Sequence, residues 1–154
     1  MLRIRPYQPA VFEPLLSIFD THVPAAFGPG ERADYSHFLR THNLPYMVAE
    51  HEGTVVGACG YTVRNDGVTG VVVWILTDWA ARGQRVGTAL MTCVMARLAA
   101  IPGLRAIECR TSQVAWRFFE PFGFRLQFTT PDYWAPGIDL YQMTASPMPG
   151  QPAG

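Results

Sequence analysis

Residues 71–90 read Val71-Val72-Val73-Trp74-Ile75-Leu76-Thr77-Asp78-Trp79-Ala80-Ala81-Arg82-Gly83-Gln84-Arg85-Val86-Gly87-Thr88-Ala89-Leu90, an apolar strand that passes through a short Arg/Gly loop into an amphipathic helix. This order outlines a phosphate cradle. Loop amides are uncommitted to any ladder, the first turn of the helix adds its own orphan N–H groups, and the helix start carries partial positive charge. Gly87 lets an anion approach the backbone with no Cβ in the way, while Arg82 and Arg85 offer charge-assisted hydrogen bonds. The competing account is a plain strand-to-helix turn with solvated arginines, and glycine spacing alone does not separate the two.

Upstream, Leu2 to Tyr7 alternates as a short first strand, with Pro6 arguing against a central position. Pro9 to about Thr21 repeats Val11, Phe12, Leu15, Leu16 and Phe19 at helical spacing, with Pro9 near the first turn. A turn-rich loop from Pro24 to Gly30 precedes a weaker helix over Arg32 to His42. Tyr46 to Glu50 and Thr54 to Val63 flank His51-Glu52-Gly53 as a hairpin, and a third antiparallel strand runs from about Gly70 to Thr77.

Downstream, Val86 to Ala100 places Leu90, Val94 and Leu98 along one helical face. Pro102-Gly103 stops that helix, Leu104 to Arg110 has strand character, and Gln113 to Phe122 carries Ala115, Phe118, Phe119 and Phe122 at helical spacing. Gly123 to Thr129 and Gly137 to Met143 are expected to be closing strands around a loop from Pro131 to Pro136. The Pro/Gly-rich segment beyond Ala145 offers nothing to bury and is expected to be a disordered tail, 146–154, after a single domain spanning 1–145.

Composition narrows the function. The 154 residues suit one domain able to bury about two-thirds of its unfolded surface. Twelve basic against twelve acidic residues leave no nucleic-acid footprint. All the basic residues are arginine, which excludes Schiff-base lysine chemistry and a P-loop lysine. Cys59, Cys93 and Cys109 read as buried reduced thiols, and the four histidines show no ligand spacing, so no metal site is expected. The N-terminus lacks an apolar signal core and no run reaches a membrane span, so a cytoplasmic protein without membrane contact is the default expectation.

The full element order resembles the GNAT superfamily of acetyl-CoA-dependent N-acyltransferases, over Met1 to about Ala145. The family's pyrophosphate motif, Gln/Arg-x-x-Gly-x-Gly/Ala, maps onto Arg82-Gly83-Gln84-Arg85-Val86-Gly87, with Arg85 at the first motif glycine; the register Gln84 to Ala89 satisfies the letters without exception, but the first keeps Gly87-Thr88-Ala89-Leu90 at the usual helix start. A second motif, Asn-x-x-Ala-x-x-Phe/Leu-Tyr-x-x-x-Gly-Phe, maps onto Ser112 to Phe124. There Ser112 replaces the asparagine that binds the cofactor arm, and Phe119 replaces the tyrosine that protonates the leaving thiolate. Ser112, directly before a helical run, fits the common pattern of a helix N-cap.

The resemblance implies a mixed α/β domain (α+β mixed sheet) with a mostly antiparallel sheet of about six to seven strands flanked by about four helices. It also implies an acetyltransferase that moves an acetyl group from acetyl-CoA to a small-molecule or peptide amine by direct attack in a ternary complex. The cofactor residues it implies are Leu76, Thr77, Arg82, Gly83, Gln84, Arg85, Val86, Gly87, Thr88, Ser112, Ala115 and Phe118, with Phe27, Tyr133 and Trp134 around the acceptor. A backbone N–H near Leu76 or Thr77 would polarise the thioester. No base is assigned: Glu108 and Asp78 are the nearest carboxylates, and Tyr133 and Tyr141 are candidate acids by residue type only. The rival reading is a catalytically idle CoA-binding or sensing domain, favoured by Phe119; binding of a nucleotide or other phosphate ligand through the same loop is a third. Family analogy allows a homodimer.

Overall fold

A computed structural model describes residues 1–147. Its seven strands are β1 (Leu2–Pro6), β2 (Tyr46–His51), β3 (Thr54–Val63), β4 (Thr69–Thr77), β5 (Ala106–Thr111), β6 (Arg125–Ala135) and β7 (Ile138–Ala145), and they form one sheet in the order β1-β2-β3-β4-β5-β7-β6. The mixed, mostly antiparallel sheet expected from the sequence is present, and β4 with β5 is its parallel pair. Helices α1 (Phe12–Asp20), α2 (Glu31–Thr41), α3 (Val86–Ala99) and α4 (Trp116–Phe119) complete it.

Strand alternation sorts the core into two layers. On β2, Tyr46 and Val48 join Leu15, Phe19, Tyr35 and Leu39 from α1 and α2 on one face. Met47 and Ala49 face the opposite way, onto Leu90, Met91, Val94 and Leu98 of α3. Each of the fully buried Leu, Val, Met and Phe side chains contributes roughly 1.5–3 kcal/mol, so the two apolar stripes fix which face α1 and α2 cover and which face α3 covers.

Two irregularities at the sheet centre matter most. Ala58 and Gly60 of β3 oppose Leu76 and Val73 of β4, so β4 carries one extra residue there, and Trp74 takes up the bulge with φ 43. Its carbonyl accepts from the Tyr46 hydroxyl at 2.7 Å, and Tyr35 donates in turn to Tyr46 at 2.9 Å. The second is a gap. β4 and β5 pair only at Thr69↔Ala106, Gly70↔Ile107 and Val71↔Glu108, although β4 continues to Thr77 and β5 to Thr111.

Several sequence expectations need correction. The first helix is split into a 3₁₀ turn over Pro9–Val11 and α1. The helix expected over Gln113 to Phe122 shrinks to α4 plus a 3₁₀ turn over Glu120–Phe122, where Pro121 supplies no N–H to continue the α-helical ladder. Ser112 does not cap it: its Oγ accepts from the Val114 N–H at 3.2 Å, and the N-cap position is Ala115. The expected loop from Pro131 to Pro136 lies mostly within β6, where five steps from Thr130 to Ala135 oppose only two on β7. Pro131 is tolerated because that excess bulges out of the ladder, with Asp132 at φ 52 tied by its N–H to Asp139 Oδ1. Cys59 and Cys109 are buried, but Cys93 is only half-buried, being on the flank of α3. Most of the tail assigned to 146–154 lies outside the described residues. Among the described residues no helix is long and apolar enough to cross a membrane, and no group of His, Cys, Asp or Glu could hold a metal ion.

Candidate active site

The Arg/Gly loop folds as the strand-to-helix reading requires. Asp78 caps a 3₁₀ turn over Trp79–Ala81 by accepting from the Ala80 N–H at 3.0 Å. Gly83 at φ 87 and Arg85 at φ 61 then turn the chain into α3, whose first bond runs from the Ala89 N–H to the Arg85 carbonyl. The amides of Val86, Gly87 and Thr88 precede that bond and have no backbone partner among the described residues. Gly87 packs tightly: a Cβ there would stand 3.0 Å from the Phe118 ring. Arg82 stacks over exposed Trp79 at 4.6 Å and donates to its carbonyl at 2.9 Å.

This loop, the end of β4 and α4 enclose a cavity of about 350 Å³ whose charged walls are Arg82 and Arg85, with no carboxylate among them. His22 also reaches it, and its Nε2 donates to the Thr77 carbonyl at 2.6 Å. Because the Asp78 N–H is spent on Val56 at 2.7 Å, strand alternation turns the amide and carbonyl of Thr77 to the opposite edge, the one β5 leaves open.

A second cavity, of about 390 Å³, lies in the gap between β4 and β5. The two cavities share Ala26, Phe27, Ile75, Ala115 and Phe119 as walls, so they meet at the open edge of β4. Phe27, Trp74, Phe119 and Trp134 make the second one aromatic. Its one carboxylate is Glu31, only 8% exposed, whose Oε2 accepts from the Gly28 N–H at 2.8 Å. Burial raises the Glu31 carboxyl above its usual range, and the Gly28 hydrogen bond partly offsets that.

The family model of the GNAT acetyltransferases matches residues 12–124. The chain belongs to the GNAT family. Solved structures agree in fold. This GNAT domain superposes on Ard1 from Thermoplasma volcanium with TM-score 0.79 at 20% identity, covering 94% of this chain and 97% of that one. An aminoglycoside 6′-N-acetyltransferase complexed with coenzyme A gives 0.76 at 13% identity over 97% and 99%. For yncA from Salmonella typhimurium with its cofactor acetyl-CoA the values are 0.73 at 17% over 98% and 96%. No curated protein matches the sequence.

The GNAT motif residues expected at the cofactor largely converge. Leu76, Thr77, Arg82, Gly83, Arg85, Val86, Gly87, Thr88, Ala115 and Phe118 all line the first cavity, and Ser112 lines the second. Gln84 is exposed and lines neither. Around the acceptor space, Phe27 and Trp134 are walls, while Tyr133 lines neither cavity and is exposed, its hydroxyl accepting from Arg110 Nη2 at 2.8 Å. The candidate acid and base residues stand elsewhere. Glu108 is engaged by Arg64, with Nε at 3.0 Å, and Tyr141 packs on Trp116 with ring centroids 5.6 Å apart. Phe119 is buried between the cavities and brings no hydroxyl.

Sequence reading missed His22, Glu31 and Arg110. The signal for Glu31 was local: an acidic residue three positions after Gly28, at the start of a helix, able to reach back to that glycine's amide. His22 and Arg110 gave none, since their positions depend on the α1–α2 segment meeting β4 and on β5 leaving it.

Proposed function

We propose that this protein is an N-acetyltransferase that uses acetyl-CoA and transfers its acetyl group by direct attack of a primary amine in a ternary complex. The observation that carries this reading is the meeting of the two cavities at the unpaired edge of β4, one basic and lined by loop amides, the other aromatic with a single carboxylate.

The residues fit a diphosphate and its extended arm. The free amides of Val86, Gly87 and Thr88 lie at the positive end of the fourteen-residue helix α3, and Arg82 and Arg85 add charge without a competing carboxylate. The open edge of β4 can pair with an extended amide-bearing chain as a sheet edge pairs with a strand. Acetyl-CoA supplies an acetyl thioester there. With its carbonyl already engaged by His22, Thr77 retains its N–H as the donor that can polarise the thioester oxygen. Phe118 and Phe119 hold the wall between the loop and the acceptor space and help exclude water. For this chain the acceptor is an amine small enough for the aromatic cavity.

A catalytically idle CoA-binding domain is the second reading, favoured by the missing phenol at Phe119. Calorimetric titration with CoA and acetyl-CoA, followed by thiol release over a broad panel of primary amines, tests both. Binding together with amine-dependent release supports the transferase. Binding with no release across the panel selects the idle domain, and no binding at millimolar ligand overturns both.

A further inference from the structure

The lining of the second cavity carries two charged side chains, the buried Glu31 and the exposed Arg110, among mostly apolar ones. Glu31 lies at the start of α2, and while its Oε2 holds the Gly28 N–H, its Oε1 has no hydrogen-bond partner among the described residues. A carboxylate this enclosed gains from a cationic or donor partner. Among the cavity's lining side chains the one cation is Arg110. Arg110 sits over the rings of Tyr133 and Trp134 at 5.1 and 5.8 Å. Its Nη2 and Nε are engaged by Tyr133 and Gln142, at 2.8 and 3.2 Å, and Nη1 has no partner among the described residues. Arg110 and Glu31 form no ion pair with each other.

We propose that the acceptor is a free α-amino acid with an apolar side chain, its ammonium at Glu31, its carboxylate at Arg110 and its side chain among Phe27, Trp74 and Trp134. The inference rests on the acetyl-transfer reading above and names its substrate class. Charge decides among acceptors. A simple amine leaves Arg110 unused, and a polycation finds one carboxylate, because Glu31 is the sole Asp or Glu lining either cavity. A peptide N-terminus offers an ammonium but no adjacent carboxylate.

The step balances without a further reagent. Glu31 takes one proton from the ammonium, the neutral nitrogen forms its bond to the acetyl carbon, and the carbon–sulfur bond breaks. The second nitrogen proton goes to the departing sulfur, giving CoA thiol and the N-acetyl amino acid, and Glu31 returns its proton to solvent.

The test compares phenylalanine, leucine and methionine with phenethylamine, phenylalaninamide and 3-phenylpropanoate, by tryptophan fluorescence titration without cofactor and by thiol release with acetyl-CoA. At least one of the three amino acids should exceed its decarboxylated or amidated counterpart by tenfold or more in kcat/KM, and R110M should erase that gap. E31Q keeps an acceptor oxygen for Gly28, so the fold survives; it should lower kcat/KM about a hundredfold and abolish its acid limb, with acetyl-CoA affinity within twofold. Fluorescence titration should show the amino acid binding at least tenfold more weakly in either variant. The proposal is overturned if none of the three amino acids binds or turns over, if the amine or amide serves equally well, or if R110M retains the preference. Absent acetyl-CoA binding with intact amino-acid titration would instead refute the cofactor reading.

Discussion

A Cβ built on Gly28 would stand 2.5 Å from the Cβ of Ala135. The α1–α2 segment can therefore lie against the end of β6 only because residue 28 has no side chain, and the same residue donates its N–H to Glu31. Gly28→Ala is expected to cost about 1–3 kcal/mol, the range for overpacking. It should raise the acceptor KM while leaving acetyl-CoA affinity near wild type. Thermal unfolding and calorimetry read the two effects separately.

Arg85 occupies left-handed backbone, φ 61 and ψ 31, where glycine is at ease and a residue with a Cβ is not. Arg85→Gly should stabilise the ligand-free fold by up to about 1 kcal/mol. Removing the guanidinium should at the same time weaken acetyl-CoA binding several-fold, more so at low salt. A gain in both, or a loss in both, would contradict this account of the loop.

Buried acids set the alkaline limit of stability. Burial raises Tyr35, Tyr46, Cys59 and Cys109 above their ordinary values. Their folded forms stay protonated where the unfolded chain ionises, so the stability they contribute is complete below the unfolded values and falls as pH rises through about 8.5–10. At the acid end, Arg5 lowers Glu50, and the Val68 amide and Thr69 hydroxyl lower Asp66. Stability from those two is present above the ordinary carboxylate range and is lost as pH falls through their lowered values. Denaturant melts across pH should show both limbs, and Tyr35→Phe should flatten the alkaline one.

Glu108→Gln and Tyr141→Phe are expected to leave kcat/KM within about threefold of wild type. Neither residue lines either of the two cavities described above: the one is held by Arg64, the other packs on Trp116. A hundredfold loss in either would place the proton chemistry away from the space between β4 and β5.

Much of this was readable in advance because it is local. Glycine and arginine positions between an apolar strand and a helix fixed the loop at 82–88, and alternation fixed the two sheet faces. The errors share a different origin. Pro131 suggested a loop, but a proline is harmless where β6 has excess residues without partners. Ser112 suggested a cap, but the chain needs a further turn before α4 begins. Glu31 and Arg110 are 79 positions apart in a 154-residue chain, and only the parting of β4 and β5 makes them walls of one space.

That parting makes the sheet two wings, four strands and three strands, joined by three residue pairs. A ligand lying along the vacant edge becomes a rung the chain itself does not encode. On the proposed function, the protein's endurance then follows metabolic supply: at a hundred times the dissociation constant, acetyl-CoA would add roughly 2.7 kcal/mol, so a starved cell would hold a looser enzyme than a fed one.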